Sequence, residues 1–166
     1  MSRTTRVATL VAAASLSVGV LAACSSSGGS SGSKNSTPPF DEAAAKATIT
    51  TNWETFFDPT KPAADKAALV QDAAELQPIL TAQAKNPQAK TTKAKVKTVV
   101  IDPSHVKATV TYDLVPVAGG AALLPNASGV SVYEGGTWKV SKATFCTLIA
   151  LGSQSSGQPV PAPCAS

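Results

Sequence analysis

The hydrophobic pattern along this chain changes period twice. From Val7 to Ala23 apolar and small residues run almost unbroken, from Phe40 to Lys85 apolar positions recur every three or four residues, and from Lys93 to Val140 they alternate. The helical stretch opens at Asp41-Glu42, whose charge suits the positive end of a helix dipole. Ala45, Ile49, Trp53, Phe56 and Phe57 then fall on one side, until Asp58-Pro59 ends the run. A second helix is predicted from Pro62, which is favoured in a first turn, and carries Ala67, Leu69 and Val70. A third, about Ala74 to Lys85, turns Leu76, Ile79 and Leu80 inward; Pro78 fits it only in the first turn or as a kink.

Lys93 to Ile101 and Val106 to Val115 read as strands joined by Asp102-Pro103-Ser104-His105, a tight turn with Asp and Pro at its first two positions. Gly129 to Tyr133 and Thr137 to Val140 form a second hairpin through Glu134-Gly135-Gly136. The segment from Ser141 to Gly152 reads as a short helix, with Ser141 as N-cap and Gly152 just past its end. Its Thr, Phe and Ile content keeps a strand over 142–151 as the alternative. Helices followed by a meander of about four strands give an α+β fold, in which N-terminal helices pack in a curved antiparallel sheet around a cone-shaped core. That layout resembles the nuclear-transport-factor-2-like fold.

The flanks of this domain read differently. Arg3 and Arg6 precede the apolar run, which is too weak for a comfortable membrane span and ends in Leu21-Ala22-Ala23-Cys24. This is the look of a bacterial lipoprotein signal, so Cys24 is the expected lipidation site and new N-terminus. Two acyl chains on such a residue anchor a protein stably where one does not. The predicted organisation is a signal peptide over 1–23, lipidated Cys24 with a Ser/Gly/Pro tether over 24–39, a domain over 40–152 and a Pro-rich tail over 153–166. The tether's root-mean-square reach is on the order of 20 Å.

Charge and cysteine usage follow from this division. Loss of residues 1–23 removes both arginines and lowers the formal charge from +4 to +2, so the basic balance is partly that of the signal. With no Arg left and few aromatic residues, a nucleic-acid partner is not expected. Cys146 and Cys164 remain as an even pair, the expectation being a disulfide that staples the tail to the domain, with a free buried Cys146 as the weaker alternative.

Candidate chemistry is sparse. Gly28 to Gly32 matches G-x-S-x-G and Ser31 to Lys34 matches S-x-x-K, but both lie in the tether, where nothing strains the serine or holds a base beside it. One His and two paired Cys make no zinc set, and no metal or other cofactor is expected. His105 with Asp102 or Asp113 has no spacing that selects a catalytic arrangement. An isomerase-like site would need Asp113 and Tyr112 or Tyr133 facing one another in an apolar pocket, yet strand alternation sends Tyr112 and Asp113 to opposite faces. Lys85, Lys90, Lys93, Lys95 and Lys97 read as a solvated face guarding a sheet edge, in preference to a surface for anionic headgroups. Trp53, Phe56 and Phe57 either fill the core or line a ligand cavity. Leu123 and Leu124, in the loop from Ala118 to Asn126, would then be its lip or else an exposed partner patch.

Three blocks together carry a family resemblance. They are Ile49-x3-Trp53-x2-Phe56-Phe57-Asp58, Lys66-x2-Leu69-Val70, and Gly135-Gly136-Thr137-Trp138-Lys139-Val140-Ser141-Lys142. The chain is similar to the mycobacterial low-molecular-weight secreted antigen family over about Phe40 to Leu151, in a lipoprotein form. The resemblance implies a nuclear-transport-factor-2-like C-terminal domain and an extracytoplasmic place, and it carries over no catalytic residues. The expected function is a lipid-anchored protein on the extracytoplasmic face of an actinobacterial-type cell membrane. Its domain is expected to bind, without catalysis, an apolar or lipidic ligand against Trp53, Phe56, Phe57, Leu123 and Leu124. A protein-interaction module, homodimeric through the outer sheet face, is the alternative, and a cryptic isomerase-like enzyme the second alternative.

Overall fold

The computed structural model describes residues 39–165; the leader, Cys24 and the tether as far as Pro38 lie outside them. Helix α1 spans Glu42–Phe57, started by the Asp41 carboxylate, which accepts the Ala44 amide at 2.9 Å. The residues at helical spacing, Ala45, Ile49, Trp53 and Phe56, are its buried face. Helix α2, Ala63–Ala68, is shorter than the pattern suggests. Pro62 is its N-cap, and Leu69 and Val70 have already left the helix. They pair instead with the end of the sheet: Val140 donates its amide to the Leu69 carbonyl at 2.8 Å, and the Gln71 amide donates to the Val140 carbonyl at 2.9 Å. Helix α3, Ala73–Lys85, buries Leu76, Ile79 and Leu80 as expected. Pro78 sits in its second turn with its ring toward solvent, where it removes one amide donor. A short helix α4, Pro87–Lys90, was not expected; the Asn86 side chain accepts the Gln88 amide and Pro87 supplies the first-turn geometry.

Strands β1 (Thr92–Ile101), β2 (Lys107–Pro116), β3 (Leu124–Glu134) and β4 (Thr137–Val140) form one antiparallel sheet in the order β1-β2-β3-β4. The Asp102–His105 turn is as expected, closed by the His105 amide on the Asp102 carbonyl at 2.8 Å. β3 starts at Leu124 instead of Gly129, because Leu124 pairs with Leu114 across a register shift on β2. Pro125 and Asn126, which read as loop, lie at that irregularity, and Asn126 has φ 51°. A second shift between Val96 and Thr98 leaves Lys97 as an extra residue on β1. Lys93, Lys95 and Lys97 nonetheless all face solvent, with Ala94 buried.

The sheet curls into a half-barrel around α1. Two residues one position either side of Trp53 tie the helix to opposite edges: Asn52 Nδ2 donates to the Trp138 carbonyl of β4 at 2.8 Å, and Glu54 Oε1 accepts the Val96 amide of β1 at 3.3 Å. Between them the Trp53 indole enters the core, fully buried, and Nε1 donates to Ser131 Oγ on β3 at 2.5 Å. Gly129, also on β3, has no side chain for a steric reason. A Cβ there would lie 2.5 Å from Trp53 Cη2 and 2.6 Å from Thr144 Cγ2.

Helix α5 settles the last segment. It spans Lys142–Ser156, capped by Ser141, whose hydroxyl accepts the Thr144 amide. The strand alternative is therefore wrong, and so is the stop at Gly152: that residue lies inside the helix on an exposed face, and the chain turns only at Gly157, with φ 65°. Ala162–Cys164 form a final 3-10 turn. The expected disulfide joins Cys146 to Cys164 across 18 residues, with Cα atoms 5.0 Å apart. Closing a loop of that length is worth roughly 3 kcal/mol.

Candidate functional site

The middle of the half-barrel is filled. Trp53, Ile49, Val110 and Tyr112 have essentially no exposure, and the Trp53 and Tyr112 rings meet with centroids 4.8 Å apart. Trp53 therefore lies in the packed core and is not among the residues lining the cleft described next: its indole is held by the Ser131 hydrogen bond in the space left by the missing side chain at Gly129.

One end of the cone is open. A cleft of about 810 Å³ lies where α1 ends, α5 crosses and β2 passes into β3. That size is within the range of about 300–1,000 Å³ usual for small-molecule sites. Its apolar wall includes Phe56, Phe57, Leu114, Leu124, Phe145 and Leu148. Leu123, 57% exposed, stands at the lip. Four of the five expected lining residues, Phe56, Phe57, Leu123 and Leu124, are thus brought to one site, and Trp53 stands behind it.

Sequence reasoning missed the rest of the cleft. Lys61 and Lys66, beside and within α2, and Lys90, closing α4, contribute to its lining, and among the described residues no Asp or Glu side chain does. Lys66 is half-buried, and desolvation draws its ammonium below the ordinary lysine value, with Asp58 opposing. The Asp58 carboxylate is itself engaged by the amide and hydroxyl of Thr60. The tail forms another wall through Gln158, Pro159 and Pro161, held by the disulfide.

A second, smaller cavity of about 560 Å³ lies at the opposite hairpin, among Phe40, Asn52, His105, Tyr133 and Trp138. Phe40 stacks on His105 with ring centroids 4.0 Å apart. The residues an isomerase-like site would need are scattered. Asp113 faces outward, accepting the Asn126 amide at 2.7 Å and lying 3.6 Å from Lys97 Nζ. Tyr112 points the other way, where burial pushes its hydroxyl up to about 12. Tyr133 is 46% exposed beside Trp138. Asp102 is occupied by the Ser104 amide, and that turn holds its carboxyl below the usual value. Among the described residues no group of three His, Cys, Asp or Glu side chains could hold a metal ion.

The family model of the low molecular weight antigen MTB12, C-terminal domain, matches residues 42–156, from the first turn of α1 to the last of α5. The chain belongs to this family. Within the MTB12-type domain lie the filled cone, the apolar wall and all three cleft lysines. The tail residues that complete the cleft, with Cys164, fall beyond the matched span. No curated protein and no solved structure matches the chain.

Proposed function

We propose that this MTB12-type protein is an exported lipoprotein, anchored through Cys24 at the extracytoplasmic face of the cell membrane, whose domain binds an apolar or lipidic ligand without transforming it. The observation that carries the binding reading is the cleft of about 810 Å³, walled by Phe56, Phe57, Leu124 and Phe145 and open beside Leu123. Concave apolar walls with a few placed polar groups are the usual form of small-ligand sites. The leader, ending in Leu-Ala-Ala-Cys, supports the anchoring.

Two measurements test the two halves. Labelled palmitate should enter the wild-type chain and fail to enter Cys24→Ser; equal labelling of both removes the anchor. Native mass spectrometry of the exported Cys24→Ser chain, which lacks covalent lipid, should show a non-covalent adduct of lipid mass that Leu123→Glu loses. A bare monomer at every collision energy counts against the ligand.

The outer sheet face favours a second reading, self-association. Val100 pairs with Thr109, and Thr109 with Val130, so the two valines fall in one row across three strands, 64% and 38% exposed. A mass that rises with concentration and is held monomeric by Val100→Lys would support it.

A further inference from the structure

The charges that line the cleft are one-sided. Among the described residues Lys61, Lys66 and Lys90 contribute to its lining and no Asp or Glu does, Asp58 acts on Lys61 and Lys66 from outside it, and none of the three lysines makes an ion pair. Elsewhere, Lys46, Lys97 and Lys142 meet Glu42, Asp113 and Glu75, while the remaining described lysines, like the three at the cleft, form no ion pair. Lys66 differs from an ordinary surface lysine in being half-buried. Asp58 offsets part of the cost of drawing this ammonium out of water but forms no ion pair with it, its carboxylate being engaged by Thr60, and an anionic guest would relieve the rest. The other polar groups on the same side, Gln83, Asn86 and Gln88, are neutral and can donate hydrogen bonds. The opposite wall, from Leu114 through Leu124 to Phe145 and Leu148, is apolar.

We infer that the occupant of the cleft is a long-chain amphiphile with an anionic head, its chain against Phe56, Leu124, Phe145 and Leu148 and its head neutralised by Lys66, with Lys61 and Lys90 at the rim. This rests on the ligand-binding reading above and specifies its chemistry. The shared chemistry is a single acyl or alkyl chain ending in a carboxylate or phosphate, which fits a free fatty acid and a phosphate-headed lipid alike. Lys66 is the head-group residue, and the apolar wall reads the chain.

The test uses the oxidised full chain carrying Cys24→Ser, titrated below micelle-forming concentrations with hexadecanoate, hexadecyl phosphate, hexadecanol and hexadecyltrimethylammonium. Either or both anions should bind about tenfold or more tightly than the alcohol, and the cation least, as a charge-assisted contact requires. Lys66→Gln should erase most of that preference while hexadecanol binding stays unchanged, and Lys66→Arg should retain it. Preference for hexadecanoate alone points to a free fatty acid, and for hexadecyl phosphate alone to a phosphate head. Equal binding of anion, alcohol and cation overturns the head-group assignment and leaves the apolar site standing. An anion preference that survives Lys66→Gln overturns the role of Lys66. No binding of any of the four overturns the ligand-binding reading together with this one.

Discussion

The indole of Trp53 occupies the space that a side chain at position 129 would need. With its new methyl carbon only 2.5 Å from Cη2, Gly129→Ala cannot be accommodated without moving the indole or strand β3, and Thr144 closes the other side at 2.6 Å. Overpacking of this kind costs about 1–3 kcal/mol. Thermal or urea unfolding should show that loss, while Gly152→Ala, at an exposed helical site with open space around it, should be neutral or stabilising.

Ser131 is fully buried and its hydroxyl accepts the Trp53 indole N–H. Ser131→Ala removes the acceptor and leaves a buried donor unpaired, so it should destabilise by about 1–3 kcal/mol. Trp53→Phe should cost more, since it also leaves a cavity. A double-mutant cycle of the two substitutions should return a coupling energy, the mark of a direct contact.

Reduction of the Cys146–Cys164 bond should act at two places. Stability should fall by roughly 3 kcal/mol through the released chain entropy. The wall formed by Gln158, Pro159 and Pro161 should also come away from the cleft, weakening amphiphile binding even where the domain remains folded. Titrating a Cys146→Ser/Cys164→Ser chain with hexadecanoate separates the two effects. Unchanged affinity would mean that the tail plays no part in the site.

Burial raises the Tyr112 hydroxyl from 10.0 to about 12. The folded state therefore holds that proton more tightly than the unfolded chain does. Its contribution is fully present below pH about 10 and is lost as pH rises toward 12, amounting to on the order of 2–3 kcal/mol. Tyr112→Phe should flatten the alkaline arm of a stability-against-pH curve, measured by denaturant unfolding at fixed pH steps.

Much of this architecture could be read from residue spacing. Ala45, Ile49, Trp53 and Phe56 declared α1 because a helix must bury one face, and the alternation from Lys93 to Val115 declared the first hairpin because a strand must bury every second residue. What spacing could not give was the job of neighbouring buried residues. Trp53 and Phe57 are one helical turn apart, yet the first is sealed in the core and the second faces the cleft. That difference depends on where β3 approaches, through Gly129 and Ser131, some 76 and 78 positions later in the chain. Gly152 misled for a related reason: a glycine ends a helix only where the backbone turns left-handed, and that happens at Gly157. Lys66 was overlooked because its importance lies in where the fold places it, half-buried in a cleft with no Asp or Glu among its described lining, a property of three dimensions.

The bracing of α1 between Asn52 and Glu54 has a consequence for the order of folding. Those contacts, and that of Trp53 with Ser131, join residues 86, 42 and 78 positions apart, whereas the meander of β1 to β4 is built from neighbouring hairpins. Nearby contacts close at lower entropic cost, so the sheet is expected to curl first and receive the helix afterwards. The first helix of the domain thus locks last, and substitutions at Asn52 or Glu54 should hasten unfolding while leaving the rate of folding nearly untouched.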